Sequence, residues 1–179
     1  MKRGKKFILV IYGPSCGGKT SAVELLMSKH ENLFRSSQDK IKWLISNYDR
    51  NKHTHIVNKL LMGLTKNAIA EGFSLVVEGG LLVMKNKGRD FRLMAKRNKM
   101  NFFEFNIEAP FGIVKERLKT RIKEARMKKI RISNKSMKRF NDLYTLYKEN
   151  KNEKIHTFDS SILSTKEIVE EIGKRMGLS

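Results

Sequence analysis

The sequence predicts a three-layer α/β/α sandwich in which helices cover both faces of a five-stranded, mainly parallel sheet. Strand-like and helix-like patterns alternate along all 179 residues. The first strand-like segment is continuously apolar, as a central strand of a parallel sheet requires. A glycine-rich turn then joins that strand to the first helix. With two prolines and no Ser/Gly-rich linker, we expect a single domain over residues 1–179.

In the first half of the chain, the spacing of apolar residues predicts the secondary-structure elements. Residues 6–12 form the unbroken apolar strand, and residues 19–29 form the helix that follows it. A short strand at 33–37 leads into helices at 39–47 and 56–70. The second of these helices has apolar residues at helical spacing (Ile56, Leu60, Leu61, Leu64, Ala68 and Ile69).

The third strand, 73–78, ends on Glu78. Ligands of open parallel sheets bind beyond the carboxyl ends of the strands, so Glu78 is a candidate site residue. It would hold Mg²⁺ through water or orient an acceptor, or it is simply a strand-end carboxylate. A helix at 90–99 and a fourth strand at 101–107 follow.

The last third of the sequence predicts two basic or aromatic helices, a strand and a capped helix. The helix at 111–129 has one apolar face, and the helix at 135–148 has an aromatic stripe that is more typical of a core than of a base-stacking platform. The last strand is expected at 155–158. Residues 164–167 read Ser-Thr-Lys-Glu, a capping box for a helix that ends near Met176.

The glycine-rich turn is the most specific motif in the chain. Residues 13–20 read Gly-Pro-Ser-Cys-Gly-Gly-Lys-Thr, which matches the phosphate-binding pattern G-x-x-x-x-G-K-[ST] between a strand and a helix. Backbone N–H groups and the helix dipole would cradle the phosphates of ATP, with Lys19 on the outer phosphates and Thr20 as a ligand of Mg²⁺. The residues expected to contact nucleotide are Gly13, Ser15, Cys16, Gly17, Gly18, Lys19 and Thr20.

A second set of residues resembles a known family. Asp39 follows Lys19 by twenty positions, and Lys42 follows three later. With the phosphate-binding loop, this spacing is similar to the kinase domain of polynucleotide 5′-hydroxyl kinases, and to the wider group of small P-loop kinases that includes zeta-toxin-like and metabolite kinases. The resemblance implies that Asp39 is the general base and that Lys42 holds the acceptor's phosphate, where the family has an arginine. From the residues alone, Asp39 could accept a hydrogen bond from an acceptor hydroxyl, and the alternative is an acidic residue favoured by a helix N-terminus.

The resemblance extends to a lid at about residues 115–139. Ala109-Pro110 precede Arg117 and Arg121, which lie four apart on one helix. In the family, the first arginine tends to lie near the adenine and the second contacts the transferred phosphate. The resemblance therefore implies a nucleotide-binding role for Arg117 and a catalytic role for Arg121 beside Lys19 and Asp39.

The charge of the chain points to an anionic partner or to a lysine-rich solvated surface. Lys and Arg exceed Asp and Glu by 38 to 18, a net charge of +20. Residues 115–139 carry twelve basic and two acidic residues, and residues 85–99 carry seven and one. Clustered charge of this kind favours nucleic acid as a partner of the lid. Solvated helix faces would produce the same composition.

Three functions remain open at this stage. The first is an ATP- and Mg²⁺-dependent kinase for a polynucleotide 5′-hydroxyl or a nucleotide-like acceptor. The second is a kinase for a small metabolite or nucleotide sugar, and the third is a nucleic-acid-binding regulatory NTPase. The apolar start of the chain is too short for a secretory signal and runs into the phosphate-binding loop, so we expect a cytoplasmic protein with no membrane partner. The single cysteine, Cys16, excludes an internal disulfide, and the four histidines show no spacing typical of a transition-metal site.

Overall fold

The structure is a computed structural model that describes residues 5–78, 88–130, 132 and 136–178. Within these ranges it has five strands and seven helices. The strands are β1 (Phe7–Tyr12), β2 (Leu33–Ser37), β3 (Ser74–Glu78), β4 (Asn101–Glu108) and β5 (Thr157–Asp159). The helices are α1 (Lys19–Lys29), α2 (Gln38–Lys42), α3 (Arg50–Ala70), α4 (Arg89–Arg97), α5 (Phe111–Met127), α6 (Met137–Asn150) and α7 (Thr165–Met176).

The five strands form one sheet in the order β2-β3-β1-β4-β5, and every pairing among the described residues is parallel. Strand β1 lies at the centre, and all six of its residues are buried. Its register aligns Ile11 with Glu78 of β3 and with Phe105 of β4. The carboxyl ends of the three central strands therefore meet at one edge, where the loop after β1 begins. The three-layer α/β/α prediction is confirmed.

Alternate residues of β1 serve opposite faces of the sheet, as the two-residue period of a strand dictates. Leu9 and Ile11 pack into a core with helices α1 and α7, whereas Ile8 and Val10 pack into a second core under α3, α4 and α6. A third apolar cluster joins α5 to α6 through Val114, Leu118 and Phe140. This third cluster fixes the basic helix α5 over the end of the sheet that carries the site.

Several local predictions are confirmed. The Ser164 side chain accepts from the Glu167 N–H and Glu167 reciprocates, so the capping box at α7 is present. Gly72 follows α3 with φ +89°, a conformation that glycine adopts without a steric cost. The aromatic stripe of α6 is core, because Phe140 and Tyr147 are each only 1% exposed.

Other predicted bounds are wrong, and the buried face of one helix could not be predicted. The helix expected at 39–47 ends at Lys42, and the helix expected at 56–70 begins at Arg50 because the Asp49 side chain caps the N–H of Lys52. Three of the apolar residues of α3 point away from the core: Ile56, Leu60 and Leu64 are 39%, 46% and 44% exposed. The helix buries the adjacent face through Val57, Leu61, Thr65 and Ala68 instead. The predicted lid residues 131 and 133–135, and the basic residues Lys85 and Lys87, lie outside the described residues.

Candidate active site

The backbone of the loop after β1 is shaped for close approach. Gly13 has φ +144°, and a Cβ built there would lie 1.9 Å from the Ile107 carbonyl oxygen of β4. Gly18 has φ +99° and immediately precedes α1. Its position caps the helix without a side chain, and the first turn of α1 contains no acidic residue. The positive end of the helix dipole is therefore left available for an anionic ligand.

The Lys19 ammonium folds back over this loop. Its Nζ donates to the carbonyl oxygens of Gly13 at 2.9 Å and Pro14 at 2.6 Å. Burial lowers the pKa of Lys19, although the charges of Glu78 and Asp39 oppose that change. A buried ammonium that is held by carbonyl dipoles gains from an anionic ligand, because the ligand supplies the charge that the carbonyls lack.

Thr20, Glu78 and Arg35 form a hydrogen-bonded network beside the loop. The Thr20 hydroxyl donates to Glu78 Oε1 at 2.5 Å, and Arg35 donates to Glu78 Oε2 from Nε at 3.1 Å and from Nη2 at 2.5 Å. The Arg35 and Glu78 side chains are only 14% and 12% exposed. Burial raises the pKa of Glu78, but hydrogen bonds from Thr20 and Arg35 and the charges of Arg35 and Lys19 together hold it below its usual value. Glu78 is thus an ionised acceptor that orients Thr20.

We expect this network to make the free energy of unfolding depend on pH in the acidic range. The pKa of Glu78 is near 4.5 in the unfolded chain and lower in the folded chain. Its carboxylate therefore stabilises the fold fully above the unfolded pKa. That contribution is lost as the pH falls through the pKa of the folded chain. Glu78→Gln should reduce the free energy of unfolding by about 3 kcal/mol near neutral pH. It removes the close partner of Arg35 and leaves only the longer pair to Glu24, at 3.4 Å, whose side chain is 59% exposed. Urea unfolding near pH 7 and near pH 4 should show that difference shrinking in acid.

Glu171→Gln is the matched control for the acid experiment. Glu171 pairs with Arg175 at 2.9 Å on the surface, where both side chains are about two-fifths exposed. Surface pairs of this kind contribute at most about 1 kcal/mol. A Glu78→Gln deficit that is the same at both pH values, or no larger than the Glu171→Gln deficit, would contradict the account.

Asp39 lies in the first turn of α2, at the carboxyl end of β2. Its charge raises the pKa of Lys19, so the carboxylate lies near the phosphate-binding loop. Lys42 pairs with Asp39 Oδ1 and also lies 4.7 Å from the centre of the Trp43 ring. The Lys42 side chain is 12% exposed and the Asp39 side chain 63%. The two residues that the family resemblance singled out are therefore in direct contact with each other.

Two further cations, Arg139 near Asp39 and Arg50 near Arg139, were missed by sequence reasoning. Arg139 extends from α6, and its buried Nε has no hydrogen-bond partner among the described residues. Burial and the nearby charge of Arg50 lower the pKa of Arg139, while Tyr48 and Asp39 raise it. Arg50 is the first residue of α3. Helices α2 and α6 thus each contribute a cation near the Asp39 carboxylate, and Arg50 of α3 lies near the second of them.

Arg117 and Arg121 occupy successive turns of α5. Arg117 donates from Nη1 to the Ser160 hydroxyl at 2.9 Å and to the Cys16 carbonyl at 3.4 Å, and from Nη2 to the Ser160 carbonyl at 2.7 Å. Ser160 in turn donates to the Gly17 carbonyl at 2.9 Å. Arg117 therefore ties the phosphate-binding loop to the turn after β5. Arg121 is exposed, and its charge lowers the pKa of Lys19, so it lies near the same loop.

Cys16 supports the loop through packing. It has φ +62°, and its side chain packs against the apolar cluster of α5 and α6. Ser15 Oγ lies 3.9 Å from its sulfur. The nucleotide contacts expected of Ser15 and Cys16 would therefore come from their backbone and, for Ser15, its hydroxyl.

The residues present fit ATP with Mg²⁺. The loop combines an uncapped helix start, a buried ammonium and a glycine that admits no side chain, which are the features of a polyphosphate cradle. Thr20 donates its proton to Glu78, which leaves the oxygen lone pairs available to a cation. No group of three or more His, Cys, Asp or Glu side chains in the described ranges is arranged to hold a metal ion. Mg²⁺ needs no such cage, because it binds through few protein oxygens and completes its shell with phosphate and water.

The comparisons with known proteins agree with this fold. No protein-family model and no curated protein matches the chain. Among solved structures, it is similar to the tunicamycin resistance protein of Deinococcus radiodurans (21% identity, TM-score 0.61, 98% of each chain). It is also similar to a kinase-like protein of Chloroflexus aurantiacus (16%, TM-score 0.67, 95% of this chain and 98% of that one). A third match lies in the Pnkp1/Rnl/Hen1 RNA repair complex (13%, TM-score 0.54), where the likeness spans 83% of this chain but 46% of the other. The chain therefore has the fold of P-loop kinase-like proteins.

No helix in the described part of the chain is both long and apolar enough to cross a membrane.

Proposed function

We propose that the chain is an ATP- and Mg²⁺-dependent phosphotransferase that moves the γ-phosphate of ATP to a hydroxyl of a phosphate-bearing acceptor, a polynucleotide 5′-hydroxyl end or a nucleotide-like molecule. The kinase-like fold and the phosphate-binding loop support the reaction class. The acceptor class is inferred from the charges around Asp39.

One observation carries the proposal. Asp39 pairs with Lys42, and its charge acts on Lys19 of the loop and on Arg139 of α6. Arg50 of α3 lies near Arg139 and adds a third cation to this cluster. One carboxylate against three cations leaves a local excess of positive charge. An acceptor phosphate would compensate that excess and would become the partner of the buried Arg139 Nε.

Each side chain then has a definite part in phosphoryl transfer. The Asp39 carboxylate accepts the proton of the acceptor hydroxyl, so that the hydroxyl oxygen is oriented toward the phosphorus. Lys19 and Arg121 oppose the charge that spreads over the equatorial oxygens in the transition state. Mg²⁺, when bound, neutralises charge on the β- and γ-phosphates, and Thr20, positioned by Glu78, would hold it. A phosphate on the acceptor would replace Asp39 as the partner of Lys42.

The exposed face of α5 supports a polymeric acceptor. Lys115, Lys119 and Lys123 repeat every four residues, so they lie along one side of the helix. Lys119 pairs with Glu116 at 2.7 Å, but both side chains are more than half exposed, and an exposed pair of this kind is weak. Arg117 and Arg121 project from nearly the opposite side of α5, so only an acceptor long enough to extend past the site would reach this row.

The direct test is transfer from γ-labelled ATP to 5′-hydroxyl oligonucleotides with Mg²⁺ at low salt. The parent chain should label the 5′ end, and Asp39→Asn should lower kcat by roughly 10³-fold with little change in nucleotide affinity, because a general base contributes about 10²–10⁴-fold. Asp142→Asn is the control, since Asp142 is an exposed carboxylate on α6.

Two results would overturn the proposal. If Asp39→Asn formed labelled product at an unchanged rate, Asp39 would not be the general base. Hydrolysis of ATP that oligonucleotide stimulates, with no label on the oligonucleotide, would identify a regulatory NTPase.

A small-molecule acceptor is the second candidate, and one observation favours it. The likeness to the tunicamycin resistance protein covers 98% of both chains, whereas the RNA repair protein is matched over less than half its length. Salt separates the candidates. A duplex end bound through several phosphates should give a slope of about −0.9 per contact in log K against log salt, and a monomeric acceptor should give a much shallower one.

A further inference from the structure

The outer face of α3 carries an apolar stripe that the core does not use. Ile56, Leu60 and Leu64 lie one helical turn apart, and each is about two-fifths exposed. Gly63 lies on the same side, and a Cβ built there would meet nothing within 4 Å. Three contiguous aliphatic side chains in this arrangement form an exposed apolar patch of the kind that marks an interaction surface.

The stripe continues toward the turn that follows α2. Ile41 of α2 packs against Val57 and Leu61, which each follow a stripe residue by one position, so α2 borders the stripe. In the adjoining turn Leu44 is 79% exposed and Trp43 is 36% exposed. Trp43 is the single tryptophan of the chain. An aromatic residue beside exposed aliphatic ones is typical of a face that meets a lipid headgroup layer.

The charges on α3 all have one sign. The helix contains no Asp or Glu, and Lys52, Lys59 and Lys66 repeat every seven residues along one flank of the stripe. All three lysines are exposed. A ridge of aliphatic side chains with a row of lysines beside it complements a surface that has anionic groups on the outside and an apolar layer beneath them.

We propose that the α3 face, defined by Ile56, Leu60, Leu64, Leu44 and Trp43 with the flanking lysines, docks on an anionic lipid bilayer surface. The helix lies in the interface plane, with its aliphatic side chains among the acyl chains and its lysines on the headgroups. An exposed helix face with a row of lysines along one flank and no acidic residue in the helix fits such a surface better than it fits a protein groove, which would need acidic groups at matching positions. The inference is independent of the reaction proposed above.

The test uses the whole chain and vesicles of phosphatidylcholine with about one third phosphatidylserine. Sedimentation measures binding, and Trp43 emission reports whether this face is the one that inserts. The parent chain should bind, with its emission shifted to shorter wavelength, and it should bind neutral phosphatidylcholine vesicles weakly. Leu60→Ser combined with Leu64→Ser should weaken binding by at least about tenfold, because two partly inserted aliphatic chains are lost.

The matched control is Leu93→Ser combined with Ile162→Ser, which removes two aliphatic side chains elsewhere on the surface that are 43% and 80% exposed. This control should bind like the parent, and thermal unfolding should show both double variants folded.

Three results would overturn the inference. One is no binding to anionic vesicles, and another is binding with unchanged Trp43 emission, which would assign the contact to the basic lid. The third is binding that Leu60→Ser/Leu64→Ser leaves intact. Capture of an acidic amphipathic peptide in place of vesicles would assign the face to a protein partner.

Discussion

Replacement of Lys19 by methionine should lower kcat for phosphoryl transfer by roughly 10³-fold or more. The substitution keeps most of the aliphatic stem but removes the one ammonium that reaches over the loop to the carbonyls of Gly13 and Pro14. Removal of a single preorganised donor from a site of developing negative charge costs about 10²–10³-fold. Lys19 also contributes a full charge in partly buried surroundings, where charge interactions are stronger than in water. Single-turnover transfer with saturating ATP is the measurement.

Lys29→Met is the control for that experiment, because Lys29 is an exposed lysine in the last turn of the same helix. It should transfer at the parent rate. If the Lys19→Met chain still turned over within about tenfold of the parent rate, the Lys19 ammonium would not be stabilising the transition state. That result would also remove the reason for assigning phosphoryl transfer to this loop.

Replacement of Gly13 by alanine should be among the most destabilising single changes in the chain, at roughly 4 kcal/mol. The new Cβ would lie 1.9 Å from the Ile107 carbonyl oxygen, which is backbone in the sheet and cannot rotate away. The residue also has φ +144°, a region that side chains with a Cβ avoid. Strain and overpacking at a buried position are among the few mechanisms that give effects of this size. Urea unfolding monitored by circular dichroism is the measurement.

Gly63→Ala is the same substitution at an open position, and it should have the opposite effect on stability. Gly63 lies inside α3, and nothing surrounds its built Cβ. Alanine should therefore stabilise the chain by about 0.5–1 kcal/mol. If Gly13→Ala were tolerated as well as Gly63→Ala, the loop would not have the close approach to β4 that the site requires.

The elements that place the site follow from the sequence because their signals are local. A continuously apolar strand, a glycine-rich turn and a helix with no acidic first turn are contiguous, and together they determine the cradle at Gly13 and Lys19. The position of Glu78 at a strand end was also predictable. Its partnership with Thr20 and Arg35 was not, because it depends on β2, β3 and β1 lying side by side. Arg35 in the middle of a predicted strand was the available signal, since a charge at a buried position requires a partner.

Other features depended on tertiary contacts that no window of sequence contains. Arg139 and Arg50 are separated by nearly ninety positions. The tertiary fold brings their charges together and brings Arg139 near Asp39. Arg117 was assigned to nucleotide by resemblance, yet its contacts tie the loop to Ser160, so its contact with adenine stays a prediction. The apolar spacing of α3 has two faces, and the pattern does not indicate which face the sheet covers. Periodicity alone therefore could not reveal the exposed stripe.

Isothermal titration of the whole chain with ATP and Mg²⁺ tests the central claim most directly. The account predicts one equivalent of nucleotide bound with an affinity between about 1 µM and 1 mM. It also predicts that Lys19→Met weakens binding, while Lys29→Met binds like the parent. The absence of any nucleotide binding by the parent chain at millimolar ATP, or equal binding by Lys19→Met, would contradict it.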